Sequence, residues 1–129
     1  MLRAYVPPRV PTMTSALELI EEHLAAFNAH DSERLLATLA PDVVWATGQD
    51  VCHGHDELAG MFDAGLWALE PSLTAARMLS DTASVAAELV ERITVDGDPR
   101  EFHIAAFFSV ADGVIRAAKI YREGRADIE

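Results

Sequence analysis

Apolar positions recur at helical spacing through the first part of the chain. Leu17, Ile20, Leu24 and Phe27 form one stripe, and Glu18, Glu21 and Glu22 fall on the other side. Ser15-Ala16-Leu17-Glu18 stands in front of that stripe as a capping box, in which the serine hydroxyl accepts from the Glu18 N–H and the glutamate reaches back. The spacing predicts a helix from Ser15. Asp31 is placed to cap a second, shorter helix carrying Leu35, Leu36 and Leu39, which Pro41 stops. Val43-Val44-Trp45-Ala46-Thr47 is β-branched and aromatic and reads as a strand ended by Gly48. A polar loop follows. Gly54 then opens a third helix whose stripe is Leu58, Met61, Phe62, Leu66 and Leu69. Gly60 and Gly65 inside it cost about 1 kcal/mol each against alanine, which points to a close approach or a bend.

The second half changes period. Alternating patterns predict strands near 73–80, 84–95, 101–111 and 114–123. Asp96-Gly97-Asp98-Pro99 and Ala111-Asp112-Gly113 supply the reversals between them. Helices first and a meander of antiparallel strands afterwards indicate an α+β fold, with the helices on one face of a curled sheet. Residues 1–14, with Pro7, Pro8 and Pro11, read as an extended arm, and residues 15–129 as a single domain without internal repeats.

The length, 129 residues, suits one domain. The formal charge is −11, from 21 acidic and 10 basic residues, and a field of that sign repels phosphate backbones, so no nucleic-acid partner is expected. No run approaches the roughly 18 apolar residues of a membrane span, and the start of the chain lacks the apolar stretch of a secretion signal. The single Cys52 excludes an internal disulfide and fits a reducing cytoplasm. Phosphate-cradling glycine loops and serine elbows are missing, so no cofactor is expected.

His23-Leu24-Ala25-Ala26-Phe27-Asn28-Ala29-His30-Asp31, then Leu35-Leu36 and Ala40-Pro41-Asp42-Val43-Val44-Trp45, resemble the opening of the nuclear-transport-factor-2-like superfamily. Gly54 before the third helix fits, as does Phe107-Phe108-Ser109-Val110-Ala111-Asp112-Gly113-Val114-Ile115 running into Ile120-Tyr121-Arg122-Glu123. The resemblance spans about residues 15–125 and is closest to SnoaL-like polyketide cyclases, limonene epoxide hydrolase and ketosteroid isomerase. It implies a cone-shaped α+β barrel: a curved antiparallel sheet, with N-terminal helices closing an apolar cavity for a small hydrophobic molecule. It also implies a homodimer paired through the outer sheet face. The isomerase's oxyanion-hole tyrosine falls on His23, and its general-base aspartate near Thr47. The acid on the last strand of the cyclases and the epoxide hydrolase falls on Ile120, and the hydrolase's arginine and aspartate on Arg92 and Thr94. The three familiar carboxylates are therefore missing, which disfavours a copy of any of those mechanisms.

His23 lies three residues after Ile20 and four before Phe27, inside the apolar stripe. In a cavity its imidazole would be neutral, able to donate to a carbonyl or accept from a hydroxyl; as a core residue it would be bonded to a backbone carbonyl or another side chain. Arg92 would stabilise developing negative charge if its face, with Glu88, Val90 and Thr94, pointed inward; otherwise it belongs to an outer ion pair. Phe27, Trp45, Thr47, Met61, Phe62, Phe102, Ile104, Phe108 and Ile120 are the expected ligand-binding wall. Asp50-Val51-Cys52-His53-Gly54-His55-Asp56 carries metal-binding residue types without a framing second pair, so no metal site is expected. The resulting expectation is a small-molecule pocket protein of cofactor-free isomerase, cyclase or hydrolase type. The alternatives are a non-catalytic carrier or sensor and a dimerising interaction module.

Overall fold

Ser15 caps helix α1 (Ala16–Asn28) through both arms of the capping box: its Oγ accepts from the Glu18 N–H at 3.1 Å, and Glu18 Oε1 accepts from the Ser15 N–H at 2.9 Å. This computed structural model describes residues 15–122, so the expected arm and the last residues of the domain lie outside the described part. The buried face of α1 carries Leu19, Ile20, His23, Leu24, Ala26 and Phe27, while Leu17 sits at its edge. Asp31 caps α2 (Ser32–Leu36) by accepting from the Arg34 N–H at 3.1 Å. Leu39 does not continue that helix. The Ile115 N–H donates to the Thr38 carbonyl at 2.8 Å and draws the chain into β1 (Leu39–Thr47). Pro41 is tolerated inside β1 because the pairing is irregular between Leu39 and Val44, where no ladder N–H is needed.

The stretch read as a polar loop contains β2 (Asp50–His53), an edge strand paired antiparallel with β1. It has no apolar alternation to announce it. Helix α3 (Gly54–Met61) starts at Gly54, whose φ of +80° and 3.2 Å approach to the Pro41 carbonyl by any added Cβ leave little room for another residue. A π turn (Phe62–Leu66) and a 3-10 turn (Trp67–Leu69) follow, so the expected bend lies just after α3.

Strands β3 (Ser72–Ser80), β4 (Ser84–Val95), β5 (Asp98–Ala111) and β6 (Val114–Arg122) form the meander read from the alternation. Asp96-Gly97 has φ values of 52° and 78°, and Asp112-Gly113 has 56° and 76°. Both are two-residue turns with left-handed central residues, whose twist matches that of the strands they join. The sheet order is β2-β1-β6-β5-β4-β3. Every neighbouring pair is antiparallel except β1–β6, which is parallel and departs from the all-antiparallel expectation. The long connection through α3 and the meander permits that pairing. The sheet is curved but unclosed, so the α+β cone stands without a sealed barrel. Helix α1 packs on β3 and β4, and α3 on β1. Val85, Ala87 and Leu89 of β4, Ile104, Ala106 and Phe108 of β5, and Ile115, Ala118 and Ile120 of β6 face the helices as the core.

Candidate functional site

Between the helices and the inner face of the sheet lies a hollow of about 360 Å³. Helix α1 contributes His23 and Phe27, and the end of α3 contributes Met61 with neighbouring Phe62. Trp45 and Thr47 project from β1, Ile104 and Phe108 from β5, and Ile120 from β6. The strand alternation sends these side chains to one face, as the sequence pattern requires. Phe102 shares their parity but stands outside the lining; it is half-buried, with the Arg122 guanidinium carbon 6.0 Å above its ring.

His23 is 2 % exposed. Its ring is 5.5 Å from Trp45 and 5.9 Å from Phe108, centroid to centroid. Nδ1 lies 2.8 Å from Thr38 Oγ1, and that hydroxyl lies 2.6 Å from the Leu35 carbonyl oxygen. A carbonyl only accepts, so the threonine proton goes to Leu35. Thr38 Oγ1 must then accept from His23, which places the imidazole proton on Nδ1. Nε2 then carries a lone pair and can only accept a hydrogen bond. Every fully buried side-chain nitrogen and oxygen among the described residues has a hydrogen-bond partner, and His23 lines the hollow, so partnerless Nε2 opens into it. Burial penalises the charged form and lowers the His23 pKa to about 4. The ring is neutral at pH 7.

The expected donation from His23 to a ligand carbonyl needs correcting, because the ring's one proton is used on Thr38. Arg92 also needs correcting. It lies on the exposed face of β4, where its Nη2 pairs with Glu101 Oε2 at 2.9 Å across the β4–β5 ladder. The inward face of β4 is the other one: Leu89, Glu91 and Ile93 line the hollow. Glu91 is 6 % exposed and accepts from Arg122 Nη2 of β6, and both line the hollow. Asp50 joins them at its exposed rim. Glu91 and Arg122 are not among the site candidates read from the sequence, and Asp50 is singled out there only for its metal-binding residue type. The signal for Glu91 was its place in the alternation Val85-Ala87-Leu89-Glu91-Ile93, which runs apolar on both sides of it.

The cover over the helix side is an aromatic stack. Trp67 lies 5.3 Å from Phe62 at an interplanar angle of 19°, and 4.9 Å from His30. Its indole N–H donates to Ser32 Oγ at 3.0 Å, and His30 Nε2 meets the Pro71 carbonyl at 2.9 Å. With Phe27 of α1, whose ring lies 5.3 Å from Trp67 and 6.2 Å from Phe62, these contacts tie the π and 3-10 turns to α1 and α2. Within the loop that carries metal-binding residue types, His55 Nε2 is bonded to the Leu39 carbonyl at 2.9 Å. The Cys52 thiol points to Met61 Sδ at 3.9 Å, and burial, then the Glu57 and Asp50 carboxylates, raise its pKa. Among the described residues no three His, Cys, Asp or Glu side chains gather as a metal ion would need. No helix among them is long and apolar enough to cross a membrane.

The sequence profile of the SnoaL-like domain matches residues 20–118. No curated protein sequence matches the chain. Solved structures share the fold. One is an LEH-like epoxide hydrolase from Mycobacterium tuberculosis, at 23% identity and a TM-score of 0.77, with 88% of this chain and 86% of that one covered. Another is a putative polyketide cyclase from Xanthomonas campestris pv. campestris, at 24% identity and a TM-score of 0.76, with 82% and 88% covered. A third is a protein of ketosteroid-isomerase-like fold from Catenulispora acidiphila in complex with trimethylamine, at 17% identity and a TM-score of 0.73, with 84% and 86% covered.

Proposed function

The chain belongs to the SnoaL-like domain family, and from that premise we propose that it binds a small, uncharged, largely apolar molecule in the 360 Å³ hollow. The observation that carries this reading is that buried His23 turns an acceptor, Nε2, into a space walled by Trp45, Phe108 and Phe27. An acceptor that opens into the hollow can be met by a ligand donor, and a hydrogen bond made there contributes about 0.5–1.5 kcal/mol. The volume falls in the usual range for ligand pockets, roughly 300–1,000 Å³. Glu91, Arg122 and Asp50 together leave one excess negative charge at the lining, and the chain carries −11 overall, which disfavours anionic ligands. Native mass spectrometry of the purified chain tests the reading. A co-purifying or added apolar molecule of a few hundred daltons should be retained by the wild type and lost in Leu89→Trp, which fills the hollow. Equal retention by both would defeat it.

A catalytic reading has its own support in Glu91 and Arg122, a carboxylate and a guanidinium that face the same hollow as His23. It is cofactor-free acid–base chemistry of isomerase, cyclase or hydrolase type on a carbonyl-, epoxide- or polyketide-like substrate; an epoxide hydrolase and a putative polyketide cyclase share the fold. His23 is poorly matched to proton transfer at pH 7, because at a pKa of about 4 only roughly one ring in a thousand is protonated there. Glu91 is the better candidate. A turnover screen with epoxides and enolisable ketones, repeated on Glu91→Gln, decides between enzyme and carrier: binding without turnover leaves the carrier. Pairing of two copies through the outer sheet face, and a cytoplasmic location consistent with the lone Cys52, complete the proposal.

A further inference from the structure

The hydrogen-bond chain behind His23 dictates what kind of polar group the deep end of the hollow accepts. Leu35 offers a carbonyl, Thr38 gives its hydroxyl proton to it, and His23 gives its ring proton to Thr38. Each step is an obligatory direction, since the terminal carbonyl has no proton to return. Ser, Thr or Asn at the end of the chain would have left the tautomer free; a backbone carbonyl does not.

We infer that the ligand of this hollow carries a hydroxyl group, an alcohol or a phenol, which donates to His23 Nε2, and that Thr38 is the positioning residue that sets this preference. The inference rests on the proposed pocket function and adds the chemical class of the ligand. A ketone, ether or epoxide oxygen facing Nε2 sets lone pair against lone pair. A hydroxyl meets it with a proton. The surroundings sharpen the choice, because His23 is 2 % exposed and flanked by Trp45 and Phe108, so a ligand that reaches Nε2 meets it between aromatic rings. Aromatic walls on two sides of the acceptor favour a flat, ring-bearing alcohol such as a phenol.

The test uses three probes of nearly equal size on the full chain: 2-naphthol, 2-methoxynaphthalene and 2-acetonaphthone, with affinities read by calorimetry. The naphthol should bind at least roughly tenfold more tightly than the ether and the ketone. In Thr38→Val the Nδ1 proton loses its acceptor, the ring is free to carry its proton on Nε2, and the preference should shrink or pass to the ketone. His23→Phe should bind all three probes alike. Long-range proton–nitrogen NMR of the ligand-free protein should show the proton on Nδ1 in the wild type and a shift towards Nε2 in Thr38→Val, a signature that mere loosening of the fold does not produce. Equal affinity for the three probes in the wild type, or a ring proton already on Nε2, overturns the inference and leaves the pocket reading standing. Binding of none of them overturns the pocket reading and the inference with it.

Discussion

His23 and Thr38 stand 15 residues apart in the chain, yet their side chains meet at 2.8 Å in the buried interior. The bond ties α1 to the turn that launches β1, so the residue that faces the hollow is held by the segment that builds the hollow's wall. The same bond fixes which ring nitrogen carries the proton, while burial keeps the ring neutral.

That burial predicts a pH-dependent stability. The His23 pKa is lowered from an ordinary 6.5 to about 4, with desolvation as the cause. Above pH 6.5 neither state is protonated and the group contributes nothing to the pH dependence. Below it the unfolded chain takes up a proton that the folded ring refuses, so stability falls as pH drops from about 6.5 towards 4. The full penalty approaches roughly 3 kcal/mol at the acid end of that window. Thermal unfolding between pH 5 and 7 should show the slope, and His23→Phe should flatten it. The variant keeps Glu91, Arg122 and Asp50 of the same hollow, so the difference isolates the imidazole. A slope unchanged by the substitution would count against a buried neutral ring.

The Glu91–Arg122 pair predicts an asymmetric response to mutation. Glu91 is 6 % exposed, and the Arg122 side chain is 39 % exposed. Arg122→Met leaves a buried carboxylate without its partner and should cost about 1–3 kcal/mol in urea unfolding, below the value for a fully buried pair because water reaches the arginine. Adding Glu91→Gln to Arg122→Met should recover much of that loss. If Arg122→Met alone is neutral, the pair does not hold the wall together.

Two glycines that look alike in the sequence should respond oppositely to alanine. Gly54 has φ +80° and a Cβ there would sit 3.2 Å from the Pro41 carbonyl, whereas a Cβ on Gly60 inside α3 meets nothing within 4 Å. Gly54→Ala should therefore lower the melting temperature. Gly60→Ala should raise stability by roughly 0.5–1 kcal/mol through helix propensity and a less flexible unfolded chain. Equal effects at the two positions would contradict the local geometry.

The contrast between Arg92 and Glu91 shows where reading the sequence runs out. The capping box at Ser15, the stripe that contains His23 and the two Asp-Gly turns are local signals, and each is carried by residues within a few positions of one another. Strand parity is different. In β4 the charged residues Glu88, Glu91 and Arg92 fall on both faces, so the charges alone do not say which face turns inward. The uninterrupted apolar set Val85-Ala87-Leu89 settles it, and it places Glu91 inside and Arg92 outside. Arg122 was out of reach for a related reason: its partner lies 31 residues earlier, and only the sheet order brings β4 and β6 to the same hollow. β2 has no apolar alternation of its own, and the parallel direction of the β1–β6 pair is a product of tertiary pairing that neither strand's pattern announces. The strand part of the expected wall follows from the period-two rule and its helical part from the 3.6-residue stripe; Phe102, which shares the parity of Ile104, stands outside the lining with the Arg122 guanidinium over its ring.

The outer face of the sheet carries the last prediction. Phe107 and Tyr121 are each 52 % exposed and pack edge to face at 5.8 Å, with Lys119 Nζ 5.2 Å above the tyrosine ring. Half-exposed aromatics side by side on a sheet expose more apolar surface than scattered single residues do, and the ion pairs Arg77–Glu88 and Arg92–Glu101 on the same sheet supply a polar rim. If two copies pair through this face, Phe107 of one would meet Tyr121 of the other about a two-fold axis. Sedimentation at micromolar concentration should then give a dimer, and Phe107→Glu should give a monomer whose naphthol binding is unchanged, because Phe107 faces away from the hollow. A wild-type monomer under those conditions rules out the pairing, and a Phe107→Glu dimer moves it to another face.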